Sequence, residues 1–181
     1  MYGIINKAIE ELVLHNFNEE LWEKIKKRAN VDEEFFISSS PYDDDITYNL
    51  AIAISEELNV PLSNVLNDFG EWWILKTGKE KYGYLLSSGG DNFKGFLLNL
   101  PNFHNAVMMY YPNLTPPEFK ISDVEDSSLH LHYFSQRKGL KDFVYGLMTG
   151  LAKFFEVNTV KVEHIDSLDE SRTHEVFKIS W

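Results

Sequence analysis

Beyond Pro112 the spacing of apolar residues falls from three and four to two, and no other feature limits the fold of this chain as tightly. A spacing of three or four keeps side chains on one face of a helix, whereas a spacing of two keeps them on one face of a strand. Before the change, Ile5, Ile9, Leu12 and Val13 predict a first helix, and Asn18 followed by Glu19 and Glu20 reads as the start of a second that reaches Arg28. A loop, FFISSSPY, leads to Asp43 to Asp45, where negative charge suits the N-terminus of a helix through ITYNLAIAISEEL. A further helix within Asn59 to Thr77 is expected to begin near Pro61, and Gly78, Gly83, Gly89 and Gly90 break the pattern into short pieces. The next helix carries Phe93, Phe96, Leu97, Leu100, His104, Val107, Met108 and Tyr111 on one stripe, with a kink or fresh start expected at Pro101.

After the proline-rich loop PNLTPPEF, Phe119 to Val124 and Leu129 to Ser135 predict a hairpin. Lys138 to Phe155 returns to helix, with Leu140, Phe143, Val144, Leu147 and Leu151 on one side. Thr159 to Ile165 and His174 to Ser180 read as two more strands, joined by DSLDESR. The expected fold class is therefore α+β, an N-terminal helical part followed by a four-stranded antiparallel sheet with one inserted helix. At 181 residues without an internal repeat or linker, a single domain is expected.

Two stretches carry the chemistry. In LHLHYFSQR a strand would lay Tyr133, Ser135 and Arg137 along one face, and two hydroxyls with a guanidinium suit a carboxylate. Only Arg28, Arg137 and Arg172 are arginines in a chain of net charge -11, so a steering patch does not explain Arg137. About thirty residues upstream, in NLPNFHNA, His104 falls on the buried stripe of its helix and needs a partner for its ring nitrogens. A carbonyl-bonded core histidine accounts for it, and so does an axial ligand to a haem iron whose propionates reach the row Tyr133, Ser135 and Arg137. The thirteen Phe, nine Tyr and four Trp suit an apolar cofactor slot as well as a plain core.

Composition removes other classes. Twenty-eight Asp and Glu against seventeen Lys and Arg argue against nucleic acid and anionic lipid as partners and leave room for a basic protein partner. With no Cys there is no disulfide, thiolate ligand or redox thiol. Acids interrupt the opening MYGIINKAIEELVL, so neither a signal peptide nor a membrane span is expected, and a cytoplasmic location is the default. G-x-S-x-G, Walker A and G-x-G-x-x-G motifs are absent. Two alternatives stay open: a metal enzyme built on the H-x-H pair His130 and His132, and a cofactor-free acidic module that docks a basic protein. His15, His164 and His174 read as surface or satisfied polar residues.

Over nearly its whole length the chain resembles the H-NOX family, haem domains that bind nitric oxide or oxygen and are related to the sensor domain of soluble guanylate cyclase. MYGIINKAIEE, DDDITYNL, FGEWW, NLPNFH, TPPEF, YFSQR and GLMTGLAKFF carry the resemblance by their order and spacing. It implies a haem-binding sensor over 1-181, with a helical subdomain at about 1-60 and a haem-clasping subdomain at about 61-181. It implies haem b (iron protoporphyrin IX), His104 as the proximal iron ligand, and Tyr133, Ser135 and Arg137 on the propionates. Pro117 would press on the proximal side and Ile5 would lie on the distal side. No catalytic residue is implied.

The same resemblance implies nitric oxide and carbon monoxide as ligands, with rupture of the bond to His104 as the signal. The helix of His104 would then be freed and the Ile5 end would shift. Oxygen-binding relatives carry a distal tyrosine where Gly146 and Leu147 align Phe143, and Trp73, Ile5 and Leu147 complete an apolar pocket. Phe143 cannot donate a hydrogen bond, so stable oxygen binding is not expected, unless the Trp73 indole or Tyr145 supplies the donor. With no effector region after Trp181, signalling is expected through a separate histidine kinase or cyclic-dinucleotide enzyme.

Overall fold

The computed structural model describes residues 1–110, 115–167 and 173–181. Among these, helices α1 (Gly3–Asn16), α2 (Glu19–Arg28), α3 (Asp44–Leu58) and α4 (Leu62–Trp72) come first. A π-helical turn (Trp73–Gly78) links α4 to α5 (Lys79–Ser88), and α6 (Phe93–Tyr110) follows. Strands β1 (Glu118–Ser122) and β2 (Ser128–Phe134), helix α7 (Lys141–Phe154), and strands β3 (Lys161–Ser167) and β4 (His174–Ser180) complete the chain. The fold is α+β, with one antiparallel sheet in the order β1-β2-β4-β3. The expected positions Tyr111, residues 112–114 of the proline-rich loop, Arg172 and residues 168–171 of the strand connection lie outside the described residues.

By its internal contacts the chain divides into Met1–Phe69 and Gly70–Trp181. In the first unit Asn18 caps α2 by accepting the Leu21 N–H at 2.9 Å, and Asp43 accepts the Asp45 N–H at 3.0 Å at the start of α3. The acidic run at 43–45 thus acts as a helix cap, with Asp44 also holding the N-terminal ammonium. Asn59 ends α3 in the left-handed region at φ 52°, and α4 begins at Leu62, next to Pro61 as expected. An αL residue reverses the chain and lets the N–H of Val60 reach the carbonyl of Ser55, so α4 starts only after Pro61.

In the second unit the inner face of the sheet buries Phe119, Leu129, Leu131, Tyr133, Phe177 and Ile179 against Phe96 and Leu97 of α6 and Val144, Met148 and Leu151 of α7. Burying each of these large side chains stabilises the unit by about 1.5–3 kcal/mol. No fresh start occurs at Pro101: α6 runs from Phe93 to Tyr110 with Pro101 inside it. A proline costs a helix one backbone hydrogen bond, and the fully buried Phe96 and Leu97 just before it hold the helix in place. The glycines of residues 78–90 do break the helical pattern into short pieces, as expected: the π-helical turn ends at Gly78 and α5 is made of two short helices that meet beside Gly83. The kink falls at Tyr82, φ -132°, and Gly89 caps the second piece.

Candidate functional site

His104 lies on the fourth turn of α6, half-buried, with its ring 4.8 Å from that of Phe119 on β1. Its Nδ1 is 3.3 Å from the carbonyl oxygen of Leu100, one turn back. A carbonyl only accepts, so Nδ1 carries the proton and Nε2 keeps its lone pair. Burial, which favours the neutral ring, pushes the His104 pKa below the ordinary histidine value against the smaller opposing pull of the Leu100 carbonyl. A neutral imidazole with Nδ1–H anchored on a backbone carbonyl and Nε2 free is the state a metal requires. The carbonyl bond of an ordinary core histidine and the tautomer of a ligand are here the same bond.

Phe119 stands between His104 and the second half of the site. Its ring is 5.5 Å from that of Tyr133, its direct partner across the β1–β2 ladder. The hydroxyl of Tyr133 is hydrogen-bonded to Ser135, and burial pushes its pKa up, outweighing Ser135 and Arg137, so the phenol stays protonated and able to donate. The row does not form as a strand face, however. β2 ends at Phe134, and although the Ser135 N–H still reaches the Thr173 carbonyl at 2.8 Å, Arg137 lies in a bend.

What gathers the three side chains is a local turn, in which the Arg137 N–H donates to Ser135 Oγ at 3.1 Å. Arg137 Nη1 also donates to the carbonyl of Thr115 at 2.8 Å, tying the row to the segment just before Pro117. Pro117 is half-buried and directly precedes β1. Gly139, at φ +76°, turns the chain from this row into α7.

On α7, Val144, Met148 and Leu151 are fully buried whereas Phe143 and Leu147 are half-buried, on a different side of the helix. Gly70 brings the end of α4 onto that side: a Cβ there would lie 2.2 Å from the Phe143 carbonyl oxygen and 2.8 Å from the Leu147 nitrogen. The π-helical turn opens at half-buried Trp73, three residues beyond Gly70, and π-helical turns recur at functional sites. Tyr145 takes another direction. Its hydroxyl accepts the backbone N–H of His164 on β3 at 2.7 Å, and its ring meets Phe177 edge-on at 5.4 Å. Ile5 is half-buried on α1 of the first unit.

The H-x-H pair lies on the other face of the sheet. His130 Nδ1 is 2.9 Å from Asp123 Oδ2. Ser122 gives its hydroxyl proton to Asp123 at 2.7 Å, so its Oγ accepts from His132 Nε2 at 2.8 Å, and His132 Nδ1 accepts from His174 Nε2 at 3.0 Å. Among the described residues no group of three or more His, Cys, Asp or Glu could hold a metal, so these histidines form a hydrogen-bonded chain. Phe119 and the Leu100 carbonyl are site residues that sequence reasoning missed. The carbonyl was legible as the residue four before His104, while Phe119 had no signal beyond its place on a strand.

A base with one free lone pair, joined through a single aromatic ring to donors suited to carboxylates, is what an iron porphyrin asks of a protein. Fold and site together define a haem-binding sensor domain. Residues 2–164 match the model of the haem-NO-binding family, and the chain belongs to that family of haem-based gas sensors, the H-NOX domains. It is 30% identical over 192 residues to soluble guanylate cyclase gcy-32 of Caenorhabditis elegans, covering 99% of this chain and 28% of that protein. The chain thus spans about a quarter of the length of the curated relatives it matches. An H-NOX protein from S. oneidensis, solved in the Fe(II)NO ligation state, superposes with a TM-score of 0.87 at 19% identity, covering 99% of this chain and 98% of that one. The Fe(II) unliganded H-NOX protein from K. algicida gives 0.85 at 24% identity, covering 99% and 96%.

Proposed function

We propose that the chain binds haem b through His104, holds its propionates with Tyr133, Ser135 and Arg137, and senses nitric oxide, with carbon monoxide as a second ligand. The observation that carries this is the tautomer of His104: Nδ1 on the Leu100 carbonyl, Nε2 free, and burial keeping the ring neutral. The residues present fit the group, since the neutral phenol of Tyr133, the Ser135 hydroxyl and the Arg137 guanidinium are all donors to carboxylate oxygens. Bound there, haem supplies a ferrous iron able to take a diatomic gas. Pro117, half-buried beside β1, is the proposed proximal contact and Ile5 the distal one.

Preference for nitric oxide over oxygen rests on the proposed gas pocket of Trp73, Phe143 and Leu147. Phe143 has no donor, and the engagement of the Tyr145 hydroxyl with β3 directs that residue to the sheet. Neither catalysis nor a nucleic-acid or membrane partner is proposed; among the described residues no helix is long and apolar enough to cross a membrane, and a cytoplasmic setting is inferred. The effector is proposed to be a separate histidine kinase or cyclic-dinucleotide enzyme that offers a basic surface to a domain of net charge -11.

The test is the absorption spectrum of the ferrous protein under argon, nitric oxide, carbon monoxide and air. A Soret band that shifts with both nitric oxide and carbon monoxide, but gives no stable oxy form in air, is expected. Replacing His104 with Ala should remove most of the bound haem, and added imidazole should restore part of it. A wild-type ferrous spectrum from that variant without imidazole would overturn the assignment of the ligand.

A further inference from the structure

Glu175 is a buried carboxylate, 7% exposed, on the inner face of the sheet. It is the direct cross-strand partner of Tyr133, so the two side chains stand on the same face with Cβ atoms about 5 Å apart. A carboxylate beside a site built to accept carboxylates works against it. Among the described residues His164 meets that carboxylate, its Nε2 donating to Glu175 Oε2. The backbone N–H of His164 is held by the Tyr145 hydroxyl, and its ring meets that of Phe177 in a T-shaped contact at 5.5 Å. At the Tyr133 hydroxyl, Glu175 and Arg137 act with opposite sign, which supports a shared field.

We infer that His164 is a positioning residue for the propionate row, bonding the Glu175 carboxylate through its Nε2–H so that Tyr133, Ser135 and Arg137 meet an incoming dianion without an unpartnered carboxylate on the neighbouring strand. This rests on the assignment of that row to haem propionates. A histidine whose role is only structural would stabilise β3 against β4 equally whatever occupied the row. A compensating histidine matters in proportion to the negative charge presented to Tyr133.

The experiment measures haem loss from the whole chain into excess apomyoglobin, for the wild type, His164→Gln, Glu175→Gln and the double variant. His164→Gln should lose haem severalfold faster, because the Glu175 carboxylate would lose its histidine partner beside the row. Glu175→Gln should hold haem as long as the wild type or longer, and the double variant should return to the wild-type rate. With haem dimethyl ester, which lacks the propionate charges, the effect of His164→Gln should vanish.

A double variant as fast as His164→Gln alone would overturn the proposal, and so would an equal effect with the ester. If His164→Gln does not fold, Glu175→Gln decides by itself: haem loss as slow as in the wild type or slower supports the pair's role, and faster loss refutes it. Arg137→Ala is the control for the underlying assignment. Unchanged haem loss from that variant would mean that the row does not hold propionates, whereas fast loss from Arg137→Ala with no effect of His164→Gln would overturn the compensating role alone.

Discussion

Removing the Tyr133 hydroxyl is the sharpest probe of the propionate row. The side chain is buried at 6% exposure, and burial keeps the phenol protonated, so it meets a carboxylate as a donor in a poorly solvated place. A hydrogen bond to a charged partner is worth about 1.5–3 kcal/mol. At about 1.4 kcal/mol per tenfold, Tyr133→Phe should speed haem loss by roughly 10- to 150-fold. Ser135 is half-buried and already accepts the Arg137 N–H, so Ser135→Ala should cost nearer 1 kcal/mol, or about fivefold.

The two side chains share a hydrogen bond, so the double variant should lose less than the sum of the single ones. The assay is stopped-flow transfer of haem to apomyoglobin, with thermal unfolding of the apoprotein as the control for folding. An apoprotein that melts like the wild type but releases haem from Tyr133→Phe at the wild-type rate would refute the donor role. So would a larger effect from Ser135→Ala than from Tyr133→Phe.

Three further outcomes are expected. Phe143→Tyr should introduce measurable oxygen affinity, read as an oxy spectrum in air, because the half-buried position on α7 would gain a hydroxyl donor; a variant as indifferent to oxygen as the wild type would count against Phe143 facing the gas. Tyr145→Phe should leave the gas spectra unchanged but cost about 1 kcal/mol in denaturant unfolding, since the His164 N–H on β3 loses its acceptor, and altered ligand spectra would contradict that. Burial first, and then the charge of His174, lower the His132 pKa from 6.5, so the folded domain takes up this proton less readily than the unfolded chain. The resulting stability is present above about pH 6.5 and lost as pH falls through the folded value, and His132→Gln should flatten that part of the profile measured by denaturant titration.

Much of the fold and one half of the site lie open in the sequence because they depend on residues near one another. The period of apolar residues assigns helices before Pro112 and strands after it, caps at Asn18 and Asp43 follow from residue chemistry, and His104 finds Leu100 through helical spacing alone. The grouping of Tyr133, Ser135 and Arg137 is legible too, although a turn after Phe134 gathers them where a strand was expected.

Contacts between distant segments were decided by tertiary structure. That Phe119 stands between His104 and Tyr133 depends on the register of β1 against β2 and on the seating of α6 over both. That Glu175 faces Tyr133 depends on the register of β4, and that His164 reaches Glu175 depends on a bulge between His164 and Asp166 in β3. A shift of one residue in either register would turn these side chains to the opposite face; the alternation along each strand sets which face is buried, but which residue pairs with which is settled only between strands. Register is chosen by which residues the whole unit can bury together, a property of the packed sheet and helices.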